Sequence, residues 1–198
     1  MRLATWAVVL AGLCGLVAGC GGGSSGSSTS AASASNAAAK SGTTAPGSGL
    51  AVGQTATVPY TPLTSSGNGK ARTLEITVAS IHDGTAADLK GVDLSGAPKG
   101  AVPQYAAVTV TNSGPSSIDV DATSDAMQGI DHGGNQQDPV SFIGDFPPCP
   151  QNSSTTPVAT GQSFHTCLTY LVSGGITKVA YTGTDSYTSS PVTWSAGG

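Results

Sequence analysis

The residues of this 198-residue chain with chemistry to offer are four cysteines, three histidines and a run of aspartates. Cys149 and Cys167 lack the short spacing of a zinc-binding pair, and only His165, two residues before Cys167, keeps a metal alternative open. Asp119, Asp121, Asp125 and Asp131 are the first place to look for a calcium loop. Ser124 stands where the sharp turn needs glycine, however, and Ile130 where the bidentate glutamate belongs. Asp119 and Asp121 instead fit the solvent side of a strand, opposite Ile118 and Val120. A catalytic nucleophile, base and orienting acid must meet in space, and His82 and His132 sit in HDG and DHGG runs that read as turns. A G-x-S-x-G match at residues 22–26 lacks the strand and helix that flank a nucleophile elbow. The expectation is a protein that is not an enzyme and carries no metal or cofactor.

The other two cysteines lie near the amino terminus. Arg2 precedes an apolar stretch at 4–17, the length of an export-signal core rather than of a membrane span, and Val17-Ala18-Gly19-Cys20 follows. An aliphatic residue, two small residues that fit narrow protease subsites, and a cysteine whose thiol accepts diacylglycerol form the bacterial lipobox. The first twenty residues thus resemble bacterial lipoprotein precursors. The resemblance implies a signal peptide over 1–19, cleavage before Cys20, acylation of Cys20 with palmitate-type chains, and loss of Cys14 with the signal. Each buried CH₂ contributes about 0.8 kcal/mol, so two or three chains hold a protein durably where one binds marginally. The expected partner is the membrane, reached through the lipid on its outer, extracytoplasmic face. Export also leaves Cys149 and Cys167 as an even pair in an oxidising setting, for which a disulfide is the simplest account.

Seven basic against eleven acidic side chains give a net charge of −4, and loss of Arg2 with the signal makes it −5. With no basic surplus to neutralise phosphates, a nucleic-acid partner is excluded. A multi-span membrane protein is excluded too, because the only long apolar run is at the start. Residues 20–50 are nearly all Gly, Ser, Ala and Thr, too little apolar surface to offset chain entropy, and read as a flexible tether. One domain remains, over 51–198.

In that domain, short β-rich runs alternate with Gly, Pro, Asn and Asp clusters. Leu74, Ile76 and Val78 share one face while Glu75 and Thr77 share the other. Similar strand signals occur at 52–60, 105–111, 117–121, 164–172, 176–182 and 191–194, and only 86–90 looks like a helical turn. Seven to eight strands at this spacing predict an all-β fold, an antiparallel sandwich.

The stretches PQYAAVTVTNSG at 103–114, Gly161 leading into CLTYLV at 167–172, VAY at 179–181 and VTW at 192–194 carry a wider resemblance. The domain resembles the immunoglobulin-like β-sandwich of actinobacterial cell-envelope lipoproteins, a family related in shape to a small secreted mycobacterial antigen. The resemblance implies a fold and an address, with no shared activity. Residues 122–137 have no counterpart in the pattern, and 144–160 are unusually long and proline-rich. Cys149 and Cys167 are too close in sequence for the inter-sheet bridge of antibody domains, so a bridge here staples the proline-rich loop to the strand that follows.

That loop is the most informative feature, because structureless segments longer than about 12–15 residues are uncommon in compact domains and are often binding loops. Phe142, Phe146, Pro147 and Pro148 are its candidate binding residues; alternatively the two phenylalanines cap the sandwich and the loop covers a sheet edge. The expected function is a non-catalytic binding or interaction module of the bacterial envelope, monomeric, with an envelope protein or glycan as partner. The alternatives are a structural or accessory envelope protein without a soluble ligand and, last, an exported hydrolase.

Replacement of the lipobox cysteine tests the anchor. Cys20→Ala moves the protein out of the membrane fraction into an unprocessed or soluble form, and fractionation with mass spectrometry of the amino terminus checks it; unchanged acylation would contradict the assignment.

Overall fold

Alternation of apolar and polar residues gives each strand of this domain one face to bury, and two facing sheets bury them together. The computed structural model describes residues 42–195, apart from 65–66, 70, 93–96, 153 and 185; Cys14, Cys20 and the G-x-S-x-G match lie outside the described residues. The elements run β1 (Gly49–Ala51), β2 (Thr55–Tyr60), β3 (Leu63–Thr64), β4 (Gly67–Asn68), β5 (Arg72–Asp83) and β6 (Ala101–Asn112). They continue with α1 (Val120–Ser124), β7 (Met127–Asp131), β8 (Gln136–Gln137), β9 (Ser163–Ser173), β10 (Ile176–Tyr181), α2 (Ser186–Ser189) and β11 (Val192–Ser195). One sheet has the order β1-β11-β10-β7-β8, the other β2-β5-β6-β9, and β3 and β4 form a separate hairpin. All pairs are antiparallel except β1 with β11. The architecture is an immunoglobulin-like β-sandwich.

The core between the sheets follows the period of two. Ala56, Val58 and Tyr60 of β2 meet Leu74, Ile76 and Val78 of β5, then Ala106, Val108 and Val110 of β6 and Leu168, Tyr170 and Val172 of β9. The opposing sheet contributes Met127, Val179, Tyr181, Val192 and Trp194. Aromatic polar atoms cross between the sheets rather than stay unpaired: the Tyr181 hydroxyl donates to the Pro59 carbonyl at 2.5 Å and the Tyr170 hydroxyl to Met127 at 3.4 Å. Burial raises the pKa of both phenols, because the phenolate would lose water. Asn112, at the end of β6, is fully buried and fully paired. Its amide donates to the carbonyls of Ser116 and Val158, and its side-chain oxygen accepts the Gly114 N–H.

Three sequence expectations change. The strand expected at 117–121 is absent: Ile118 makes an isolated bridge to Val158, and the chain then turns into α1. Ile118 and Val120 are both buried as their alternation implied, but this segment carries the chain from one sheet to the other. Its next turn closes on itself through Thr123, whose hydroxyl donates to the Val120 carbonyl. Asp119 and Asp121 therefore do not lie on a strand. His82 and Asp83 close β5 rather than occupy a turn, because a register shift between Val78 and Ser80 lets the strand continue beyond its clear alternation.

The boundary of the domain also moves. Residues 44–50, expected to be tether, belong to the sandwich. The Thr44 N–H donates to Thr57, Gly47 N–H donates to Ser190, and β1 completes a sheet edge beside β11. The Tyr187 hydroxyl fixes the Thr44 carbonyl at 2.7 Å. Composition hid this, since main-chain hydrogen bonds are indifferent to Gly, Ser and Thr. With β1, β7 and β8 the sandwich has nine strands among the described residues, against the seven or eight expected.

Truncation separates tether from domain. Removing residues 21–40 should leave the melting temperature unchanged, whereas removal through Ala51 deletes several hydrogen bonds and costs about 3 kcal/mol, a fall of about 10 °C at this chain length. Equal melting temperatures for the two truncations would refute the assignment of β1 to the fold.

Candidate functional site

Strands β6 and β9 lie side by side, and at one end they are buried on both faces. Ala106, Val108 and Val110 of β6 and Phe164, Leu168, Tyr170 and Val172 of β9 face the main core; Tyr105 of β6 and Cys167 and Leu171 of β9 belong to a second cluster, out of phase with them. These outward residues would be wet on an open sheet. Two segments cover them instead and form a second apolar cluster with Leu89, Phe146 and Cys149 at its centre.

The first segment is the turn after β5. The Thr85 N–H donates to the Asp88 carboxylate at 2.7 Å, and the Tyr105 hydroxyl donates to the same oxygen at 3.2 Å. The turn is thereby tied to the ring it covers, and Leu89 is carried into the cluster. Gly84 is required by proximity, since a Cβ there would stand 2.5 Å from the Tyr105 ring. Desolvation first, then the Asp88 hydrogen bond and charge, push the Tyr105 phenol up to about 12.

The second segment is the proline-rich loop. It meets the free edge of β9 once through the backbone, where the Val140 N–H donates to Thr169 at 2.7 Å. Gln151 closes its neck by donating to the Val140 carbonyl and accepting the Phe142 N–H. Asn152 spends its amide on the His165 carbonyl. Cys149 and Cys167 form a disulfide with Cα atoms 5.2 Å apart, which binds loop to strand and occupies the sulfur that a metal at His165 would need. Phe142 stacks on Phe146 with centroids 4.0 Å apart, and Phe146 lies 6.1 Å from Tyr105. The loop therefore lies on the outer face of the sheet, and reaches the β9 edge, rather than capping the end of the sandwich.

Between the two segments runs a groove of about 830 Å³. Val92 and Ala97 flank one side, Phe142, Pro147 and Pro148 the other, with Leu171 beneath and Asp88, Lys90 and Asp145 as its charged groups. Ile143 also lines it and is fully exposed, at 108% of its reference area. All four loop residues singled out by sequence, Phe142, Phe146, Pro147 and Pro148, line this one groove. Tyr105, Leu171, Leu89 and Val92 were not singled out. The available signal was their frame: Tyr105 is out of phase with Ala106, Val108 and Val110, and Leu171 with Leu168, Tyr170 and Val172.

A second cleft of about 510 Å³ lies beside Cys167 and is polar, lined by Asp125, Asp138, Ser141, Asn152 and Thr166 among others. Asp138 accepts from the Gln128 amide at 2.9 Å. The other acidic candidates do not gather there. Asp119 is exposed before α1, and Asp131 accepts the Gly133 and Asn135 N–H groups and the Asn135 and Gln137 amides, which hold its pKa low and shape its turn. Among the described residues no three His, Cys, Asp or Glu side chains are grouped to hold a metal. The histidines stand apart: His82 packs edge-on against Tyr105, His132 lies in the Asp131 turn, and His165 shares a 2.9 Å hydrogen bond with Thr109.

Among solved structures the chain is similar to MPT63, a secreted protein from Mycobacterium tuberculosis, at 15% identity and a TM-score of 0.50, covering 74% of this chain and 95% of that one. It is also similar to the yjhA protein from Bacillus subtilis, at 13% identity and a TM-score of 0.45, covering 75% and 99%. At such identity the first likeness shows the fold, an immunoglobulin-like β-sandwich. No protein-family model and no curated protein matches the sequence.

The raised Tyr105 phenol has a measurable consequence. A phenol that ionises near 12 in the fold and near 10 when unfolded contributes stability that is complete below about pH 10 and is lost as pH rises toward 12. Denaturant melts across this window should show a steeper loss for the wild type than for Tyr105→Phe; parallel curves would contradict the burial of Tyr105 beneath the turn.

Proposed function

We propose that this protein is a lipid-anchored, extracytoplasmic binding module of the bacterial envelope, whose immunoglobulin-like sandwich presents the groove between residues 84–92 and 97–98 on one side and 139–148 on the other to a partially apolar ligand. The groove carries the reading. It combines exposed apolar side chains, above all Ile143, with a loop held by a disulfide and by Gln151, and such preorganisation lowers the entropy cost of binding. The lipobox at Cys20 supports the anchor, and Gly- and Ser-rich residues between it and Thr44 supply reach. Likeness in fold to a secreted protein is consistent with that address, as is a disulfide. No helix among the described residues is long and apolar enough to cross a membrane. The module carries no reaction of its own, and an envelope protein or glycan with an apolar face is the expected ligand.

Ile143→Asp tests the groove without touching the core, because Ile143 makes no buried contribution. Incubated with envelope extract, the soluble domain should retain a specific partner that Ile143→Asp loses by about tenfold in affinity, on the order of one well-placed apolar anchor, while both melt alike. Retention of the same partner by both proteins would contradict the proposal.

A further inference from the structure

The loop that builds the groove is held to the rest of the molecule by very little besides one covalent bond. Across residues 141–157 no main-chain to main-chain hydrogen bond reaches another element among the described residues, and the prolines at 147, 148, 150 and 157 have no N–H to offer one. What remains is the single Val140 to Thr169 bond, the Asn152 contacts to β9, and the burial of Phe146. The cover also has a cost. Thr169, between Cys167 and Leu171 on the covered face, is completely buried, and its hydroxyl has no partner. Lifting the loop would return that hydroxyl to water.

The two cysteine residues differ in exposure. Cys149 is fully buried in the apolar cluster, whereas Cys167 is partly exposed and lines the polar cleft. We propose that Cys149–Cys167 is a redox latch on the groove: a dithiol reductant enters through the polar cleft, and cutting the bond releases residues 139–152 from β9 and dismantles the groove. In the first step a thiolate of the reductant attacks the Cys167 sulfur, forming a mixed disulfide there and expelling Cys149 as thiolate, which takes up a proton. The second thiol of the reductant then displaces Cys167, so that the protein gains two thiols and the dithiol becomes a disulfide. The released loop uncovers Tyr105, Leu171 and the edge of β9. The biological weight of the latch rests on the groove being a binding site, but its mechanics do not.

Hydrogen exchange read by mass spectrometry on the soluble domain tests the latch. On reduction with dithiothreitol, exchange in peptides from 138–152 should quicken by about tenfold or more, while β5 and the 106–112 half of β6 stay protected, and reoxidation should restore the first pattern. A Cys149→Ser, Cys167→Ser double variant should match the reduced wild type; if it fails to fold, the reversible reduction of the wild type decides alone. A monothiol should leave its trapped adduct on Cys167. Unchanged exchange in 138–152, loss of protection throughout the sandwich, or an adduct mainly on Cys149 would each overturn the proposal. Nile red binding to the oxidised form separates the two ideas. A dye that never binds, with redox-dependent exchange intact, removes the groove reading and leaves the latch standing, and a dye bound equally to oxidised and reduced protein removes the latch.

Discussion

Burial of β6 and β9 on both faces is the constraint from which the candidate site follows. A sheet in a two-layer sandwich has one dry face and one wet face, and along most of β6 this holds, with Val108 and Val110 inside and Thr109 and Thr111 outside. At the other end of the strand Tyr105 occupies the outer frame, and Leu171 does the same on β9. Left uncovered, these side chains would expose a contiguous apolar patch. The turn after β5 and the proline-rich loop exist to cover it, and their incomplete meeting leaves the groove. The disulfide, the Gln151 clamp and the Asp88 to Tyr105 hydrogen bond are the means of holding two segments that have almost no regular structure.

Elsewhere the outer face of the same sheet is ordinary and polar. Thr55 pairs with Thr77, Thr109 with His165 and Thr111 with Ser163, rows of side chains hydrogen-bonded across neighbouring strands. Edges are managed as well. Pro59 on the outermost strand of that sheet has no N–H, and its carbonyl is taken by Tyr181 and Thr184, so little is left for a second chain to pair with. The contrast between a quiet scaffold and an apolar, loop-built groove supports the proposal of recognition at the loops, where an immunoglobulin-like sandwich commonly carries it.

Much of this was legible from residue order alone. Alternation at Leu74, Ile76 and Val78 located a core strand, the even frame of 106–110 located another, and cysteine parity predicted the bridge. Phe142, Phe146, Pro147 and Pro148 were recognisable as one unit because long proline-rich connections need a reason. Three features were opaque for definable reasons. The Ile118 and Val120 pair is buried in a crossover, where alternation persists without a ladder. Gly49 to Ala51 pairs through its main chain, to which composition is blind. The role of Tyr105 and Leu171 depends on what covers them, and the central covering residues Leu89 and Phe146 lie at least 16 residues away in the chain, beyond the reach of local periodicity.

The account turns on Phe146 lying over Tyr105 on the outer face of the sheet. Nuclear Overhauser contacts in the oxidised, soluble domain read that placement directly. Cross-peaks between the Phe146 ring and the Tyr105 and Leu171 side chains are predicted, with Phe142 stacked on Phe146. A Phe146 ring in contact with main-core residues, or averaged in solvent with no such cross-peaks, would contradict the groove and everything built on it.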